Sequence, residues 1–307
     1  MKRLLRLTVL VAAVFVLMGC VQTDVTINLN PDGSGTVVET VTMAKAVTQQ
    51  MKATMESMQQ QQAEKEGGDT EAAPVELWKE SDIRAEADTM GEGVKFVSME
   101  LIDNGDFEGY KATYSFTDIN KLLINQNPGS SVPKQEMQEG EEGQEGQTGQ
   151  EEAQEPKTKA ELITFSMQKG SPSTLIIRQP DESKKKPVAE AREEEPTEEA
   201  PAVANSPEMD EGQKEMMKSM MKMMLEGMKI SISVNVPGKI VSTNATYHDD
   251  SHITLMEMDF DKLLASDTDW EKFSEAKPNS VEETKELMKS VPGMKVEQEK
   301  EIKVTFE

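Results

Sequence analysis

The chain has one cysteine, Cys20, and two histidines, His248 and His252, in 307 residues. A single thiol allows no intrachain disulfide, so the fold must rest on its core or on something bound. Two histidines leave few groups that change charge near neutral pH, and general acid–base chemistry has little to draw on. Aromatic residues make up only 4% of the chain against 22 methionines, so the expected core is aliphatic and thioether in character. Basic residues are short as well: 33 Lys and Arg stand against 57 Asp and Glu, a net charge of −24. That excess works against nucleic acid or anionic lipid as a direct partner. No nucleophile elbow, phosphate loop, HExxH pair or Ser/His/Asp constellation is present. No catalytic residue or cofactor is therefore assigned, and the expectation is a protein that is not an enzyme.

Long apolar runs are also lacking, with one exception at the start. Leu7–Met18 follows Lys2, Arg3 and Arg6 and ends in Leu17-Met18-Gly19-Cys20. Twelve residues are too few to cross a bilayer as a settled helix and suit the core of a signal peptide. The ending resembles the lipobox of bacterial lipoproteins: an aliphatic residue three before the cysteine and a small one directly before it. That resemblance implies cleavage before Cys20, a diacylglycerol on its thiol and often a third chain on the new amino group. Residues 1–19 thus read as a signal peptide and Cys20 as the lipidation site. Each buried methylene is worth about 0.8 kcal/mol, so two or three chains hold where one exchanges. Three basic residues leave with the signal and no acids, which puts the remainder near −27. Val21 follows the cysteine where inner-membrane retention is associated with Asp. The expected address is the outer membrane or cell surface, with the periplasmic leaflet as the other option.

Almost no tether follows Cys20. Val21–Asn30 alternates apolar and polar at the period of a half-buried strand, Pro31–Gly35 is a dense turn signal, and Thr36–Met43 reads as the returning arm. Helices are expected over 44–66, with Met51, Met55 and Met58 at helical spacing, and over 75–90, which carries Trp78. Strands are expected over 94–102 and 107–116 around Asp103-Asn104-Gly105, then a short helix over 119–124. Residues 126–158 (EGEEGQEGQ and similar) and about 180–206 cannot bury enough apolar surface to offset their ordering entropy and read as disordered. The strand pair between them, within 159–179, is too small to stand alone and should dock into the same sheet. From 207 the pattern gives a helix to 228, strands over 230–236, 239–248 and 253–260, helices over 261–265 and 281–290, and a closing strand over 299–306. Segments 20–125, 159–179 and 207–307 thus form one domain, interrupted twice. Helices and antiparallel pairs are segregated, so the class is α+β: a curved antiparallel sheet with helices packed on one face, interrupted by two disordered acidic insertions.

The opening strand with Asp32-Gly33-Ser34-Gly35-Thr36, and later Val236-Pro237-Gly238-Lys239-Ile240-Val241-Ser242-Thr243-Asn244-Ala245, resembles the LppM-type domain of bacterial lipoproteins. The Ile253–Phe260 strand and the final helix and strand fit the same order, so the resemblance covers about half the chain. It implies a compact curved antiparallel sheet with helices on one face and a pocket of the Bet v 1 kind. It carries over no catalytic residue.

Three clusters were weighed for chemistry. Met216, Met217, Met220, Met221, Met224 and Met228 fall on one side of the 207–228 helix, with Lys214, Lys218 and Lys222 on the other. Such a stripe fills an irregular core or forms a pliable apolar binding surface, and soft thioethers are also Cu(I) ligands. The core or binding-surface reading is preferred, so no metal is assigned. His248-Asp249-Asp250-Ser251-His252 has the ligand types of a divalent site but also the composition of an exposed hairpin tip. The Asp32 loop lacks the alternating oxygen ligands of a calcium loop and reads as a turn. Two functions remain: an envelope module that binds a partner protein or acts as a scaffold, and a carrier of a lipid or other apolar molecule in a methionine-lined cavity.

Overall fold

The computed structural model describes residues 21–65, 75–126, 162–180, 216, 218–219, 221–222, 225–276 and 281–307. Strand β1 (Val21–Leu29) buries Thr23, Val25, Ile27 and Leu29 and turns Gln22, Asp24, Thr26 and Asn28 the other way. The chain reverses over 30–34, where Gly33 takes a φ of +83° that other residues rarely adopt. Asp32 closes that turn: its carboxylate accepts from the Ser34 backbone N–H at 3.0 Å and from the Ser34 hydroxyl at 2.6 Å. Strand β2 (Gly35–Ala44) returns antiparallel, with Val21 opposite Met43 and Leu29 opposite Gly35.

Helices α1 (Lys45–Lys65) and α2 (Glu80–Ala85) follow, then β3 (Lys95–Asp103), β4 (Phe107–Phe116) and β5 (Leu123–Asn125). Next come β6 (Leu162–Gln168), β7 (Ser173–Arg178), β8 (Lys229–Asn235), β9 (Ile240–Thr243) and β10 (His252–Asp259). Helices α3 (Phe260–Leu264), α4 (Asp267–Glu275) and α5 (Val281–Ser290) lead to β11 (Met294–Val296) and β12 (Glu301–Phe306).

The class is α+β and the pairing almost wholly antiparallel, as the segregation of elements predicts. The strands divide over two sheets, in the orders β11-β10-β8-β1-β2-β4-β3 and β5-β6-β7-β12-β9. The 162–178 hairpin therefore joins the second sheet, beside β12, and not the sheet of β1 and β2. The twelve strands among the described residues are more than one open twisted sheet comfortably holds, and splitting lets each apolar face cover the other. One core results: Ile27, Val37, Tyr114, Ile232 and Ile253 from the larger sheet pack with Ile163, Leu175, Ile177, Ile302 and Val304 from the smaller. The β1–β8 pair is parallel, Gln22 opposite Lys229 through Asn28 opposite Asn235.

Several boundaries differ from expectation for local reasons. The 75–90 helix shrinks to α2 and a 3-10 turn over Glu86–Asp88. This short segment is pinned across the inner face of β4, because the Tyr114 hydroxyl donates to the Ile83 carbonyl at 2.9 Å. Burial, with Glu86 and Glu39 nearby, pushes the Tyr114 phenol far above its ordinary range. The 119–124 helix is a single 3-10 turn, Ile119–Lys121, capped by Asp118, and then β5. The strand expected over 239–248 stops at Thr243, since side chains take over: Asn244 accepts from the Lys303 N–H, and Glu297 accepts from the Thr246 N–H and hydroxyl. Helix α4 was not anticipated; its cap is Ser266, which accepts from the Asp269 N–H at 3.2 Å, and it buries Trp270. The insertions expected to be disordered lie, but for residues 126 and 180, outside the described residues.

Two outcomes test this packing. Ile27 is fully buried in the middle strand, so Ile27→Ala should cost about 2–5 kcal/mol in chemical denaturation, whereas Val97→Ala on the open edge should stay within about 0.5 kcal/mol. The Ser34 hydroxyl and backbone hold the Asp32 carboxyl below its usual value of 3.8. A depressed carboxyl contributes stability that is complete above its unfolded pKa and lost as pH falls through the lower folded value. Asp32→Asn should therefore lower Tm at about pH 6 and shrink the further drop seen at about pH 2–3; an unchanged acid drop would contradict the assignment.

Candidate functional site

The sheet has two unlike ends. Where β1 opens at Val21, β2 runs out into α1 and β10 runs out into α3, and β8 begins after the helical residues Lys218, Ser219, Met221, Lys222 and Leu225. Two apolar clusters sit at that end. Met43, Val47, Met51 and Leu77 form one, with Val21 and Trp78 against it. Phe260, Leu263, Trp270, Val291 and Met294 form the other, with Leu225, Met228 and Met258 against it. The Gln22 side-chain amide reaches the Gly227 carbonyl at 3.5 Å, so the first residues of β1 lie beside the entry to β8. Cys20 lies outside the described residues, directly before Val21. Among the described residues no helix is long and apolar enough to cross a membrane.

Of the methionine stripe, Met216 is 73% and Met221 40% exposed, while Met228 packs against the Phe260–Trp270 cluster. Met217, Met220 and Met224 lie outside the described residues. The lysines between them point at α4: Lys218 pairs with Glu275 at 2.8 Å and Lys222 with Asp267 at 3.0 Å. The Lys218 ammonium holds the Glu275 carboxyl below its ordinary range.

The histidines lie at the opposite end of β8 and β10, by an open cleft of about 560 Å³ lined by Ile240, His248, Asp249, Asp250, Ser251 and His252. His252 Nδ1 meets Asn235 Oδ1 at 2.8 Å, and Asn235 Nδ2 donates to Asn28 Oδ1 at 2.9 Å. The Asn235 oxygen can only accept, so this hydrogen bond needs a proton on His252 Nδ1. His248 belongs to the turn itself, its backbone bridging to Ile253. Among the described residues no group of three or more His, Cys, Asp or Glu is placed to hold a metal ion. The Asp32 loop is the hairpin turn described above.

One surface escaped the sequence reading. Among the described residues strand β3 ends the larger sheet and is paired only with β4, leaving a nine-residue edge. Val97 is 56% and Leu101 72% exposed along it. Its ends are held, by Arg84 over the Phe96 ring at 4.3 Å and by Lys45 paired with Asp103 at 2.6 Å, and a bulge separates Phe96 from Ser98. Alternation in KFVSMELID marks a strand but not its place at an edge. A second feature was visible as a break in pattern: Glu39, between Val37 and Val41, is buried on β2 opposite Ala112 of β4.

No family model and no curated protein matches the chain. Among solved structures, the folded domain of the LppM protein of Mycobacterium tuberculosis is similar at a TM-score of 0.30 and 8% identity, over 94% of this chain and 91% of that one. A likeness that weak transfers neither residues nor function.

Proposed function

We propose that the chain is an exported lipoprotein of the bacterial cell envelope, held by acyl chains on Cys20, and that it binds a partner protein or acts as a scaffold without catalysing a reaction. The observation that supports this most is the position of Val21. It follows Cys20 directly and opens the middle strand of the larger sheet, so an anchor on Cys20 is coupled to the core without a flexible linker. The outer membrane or cell surface is the proposed address, since Val21 is not the aspartate of inner-membrane retention. The partner surface is the β3 edge, where backbone groups that no described strand pairs lie beside Val97 and Leu101. An extended segment of an envelope protein would add there, its backbone giving affinity and its apolar side chains covering Leu101.

Intact mass of the membrane-extracted protein should begin at Cys20 and carry the acyl mass, and Cys20→Ser should lose it. A photocrosslinker at Leu101 should give discrete protein adducts in cells, and one at exposed Lys239 on the opposite end should not. Equal labelling at both positions, or none at either, contradicts the edge as the partner surface.

A further inference from the structure

We propose that residues 75–88, with α2 at their centre, are a strap that opens as a unit while the sheets beneath it stay folded. Little holds the segment in place. Within it Leu77, Ile83 and Ala87 are buried and Trp78 is half-buried, and the rest is largely exposed. Its backbone bonds are local, with the Asp82 and Ile83 N–H groups both donating to the Lys79 carbonyl. It meets β4 through the Tyr114 hydroxyl, which donates to the Ile83 carbonyl at 2.9 Å, and through the Trp78 ring, 5.5 Å from the Tyr110 ring. Past the strap the chain is tied down again, where the Leu123 N–H donates to the Met90 carbonyl at 2.8 Å and Gly91 bridges to Leu122. A segment with so few buried side chains opens at lower free energy than the strands below it.

What lies under the strap favours opening. Tyr110 and Tyr114 stand on either side of Ala112, and Ala112 is opposite Glu39, so a segment that touches both tyrosines crosses over the Glu39 position. Glu39 is 3% exposed there. Burial, and then the Glu86 and Glu39 carboxyls, push the Tyr114 phenol upward, so the hydroxyl that pins the strap lies between an acid on the strap and one on the sheet. Closure also shuts the Trp78 indole N–H, which can only donate, away from water with no hydrogen-bond partner among the described residues. The Thr23 hydroxyl, in line with Val41 and Tyr110 across the sheet, is in the same state. A buried polar group left this way costs its full desolvation, and opening returns the Trp78 N–H to water. Lifting the strap bares an acidic and aromatic surface on β2 and β4. It also takes Arg84 off the Phe96 ring and so uncovers the start of the β3 edge.

Thiol labelling of the full chain under native conditions tests this. In a Cys20→Ser background, which makes the outcome independent of any anchor, Ala87→Cys puts the single thiol on the buried side of the strap. Val304→Cys puts it instead on β12, fully buried and paired on both sides. With an aromatic disulfide reagent, Ala87→Cys should react at least about a hundred-fold faster than Val304→Cys, and its rate should hardly change in low urea. Ile27→Ala weakens the sheets, so it should speed Val304→Cys by at least about thirty-fold and leave Ala87→Cys unchanged. Tyr114→Phe removes the pin and should speed Ala87→Cys by about five-fold. Equal rates at the two thiols, or an equal response of both to Ile27→Ala, mean that the strap opens only when the whole domain unfolds, and overturn the proposal. Amide exchange over 79–88 against 301–306 repeats the comparison in the unsubstituted chain, where equal protection overturns it too.

Discussion

The parallel pairing of β1 with β8 is the constraint on which the rest of the molecule depends. Asn28 and Asn235, 207 residues apart, share a hydrogen bond, as do Thr26 with Ser233 and Asp24 with Ser231. A parallel pair cannot be closed by a tight turn. The chain between them supplies α1, α2, the β3–β4 edge and three strands of the smaller sheet before it returns. Without this pair the larger sheet separates into β2-β4-β3 with β1 and the late strands β8, β10 and β11. Neither piece alone covers the apolar face that the smaller sheet presents.

Because β1 and β8 run the same way, their starts coincide and so do their ends. The starts gather α1, α3, Leu225 and Met228, both apolar clusters and both tryptophans, Trp78 and Trp270. The ends gather the 30–34 turn, the 236–239 turn and the histidine cleft. At the latter end Gly238, at φ +79°, sits where a Cβ would meet the Glu307 carbonyl at 1.7 Å, while Lys239 and Glu307 exchange backbone hydrogen bonds. The domain thus has an apolar, helical end and a polar, turn-built end. Its N-terminal residues emerge from the first.

The strands were the legible part of the sequence. Their period of two survives where a strand has one buried face, as Val25, Ile27 and Leu29 in β1 and Ile302, Val304 and Phe306 in β12 show. What the sequence did not disclose was decided at long range. Nothing local in Leu162–Arg178 distinguishes addition to the first sheet from addition to a second. Nothing in Ile240–His248 announces that Asn244 and Thr246 will spend their hydrogen bonds on Lys303 and Glu297, more than fifty residues away. Helix α4 was missed because its apolar residues are only Trp270 and Phe273 among acids, too sparse a stripe for periodicity to register. For the candidate site, the methionine spacing was plain, but its orientation was not. Where Lys218 and Lys222 find partners depends on Glu275 and Asp267, which come from a helix that the pattern did not reveal.

The most direct test of the orientation is a height. Val21 and Ser34 lie at opposite ends of the β1–β2 hairpin, and nine residues of β1 span about 30 Å. With Cys20 acylated, Ser34→Cys gives the one free thiol for a fluorophore, whose energy transfer to labelled lipid headgroups reports its distance from the membrane. The account predicts about 30 Å or more, with the turn end held away from the bilayer. A separation of about 10 Å or less would mean that the sheet lies along the membrane, and would contradict an anchor fixed to its helical end.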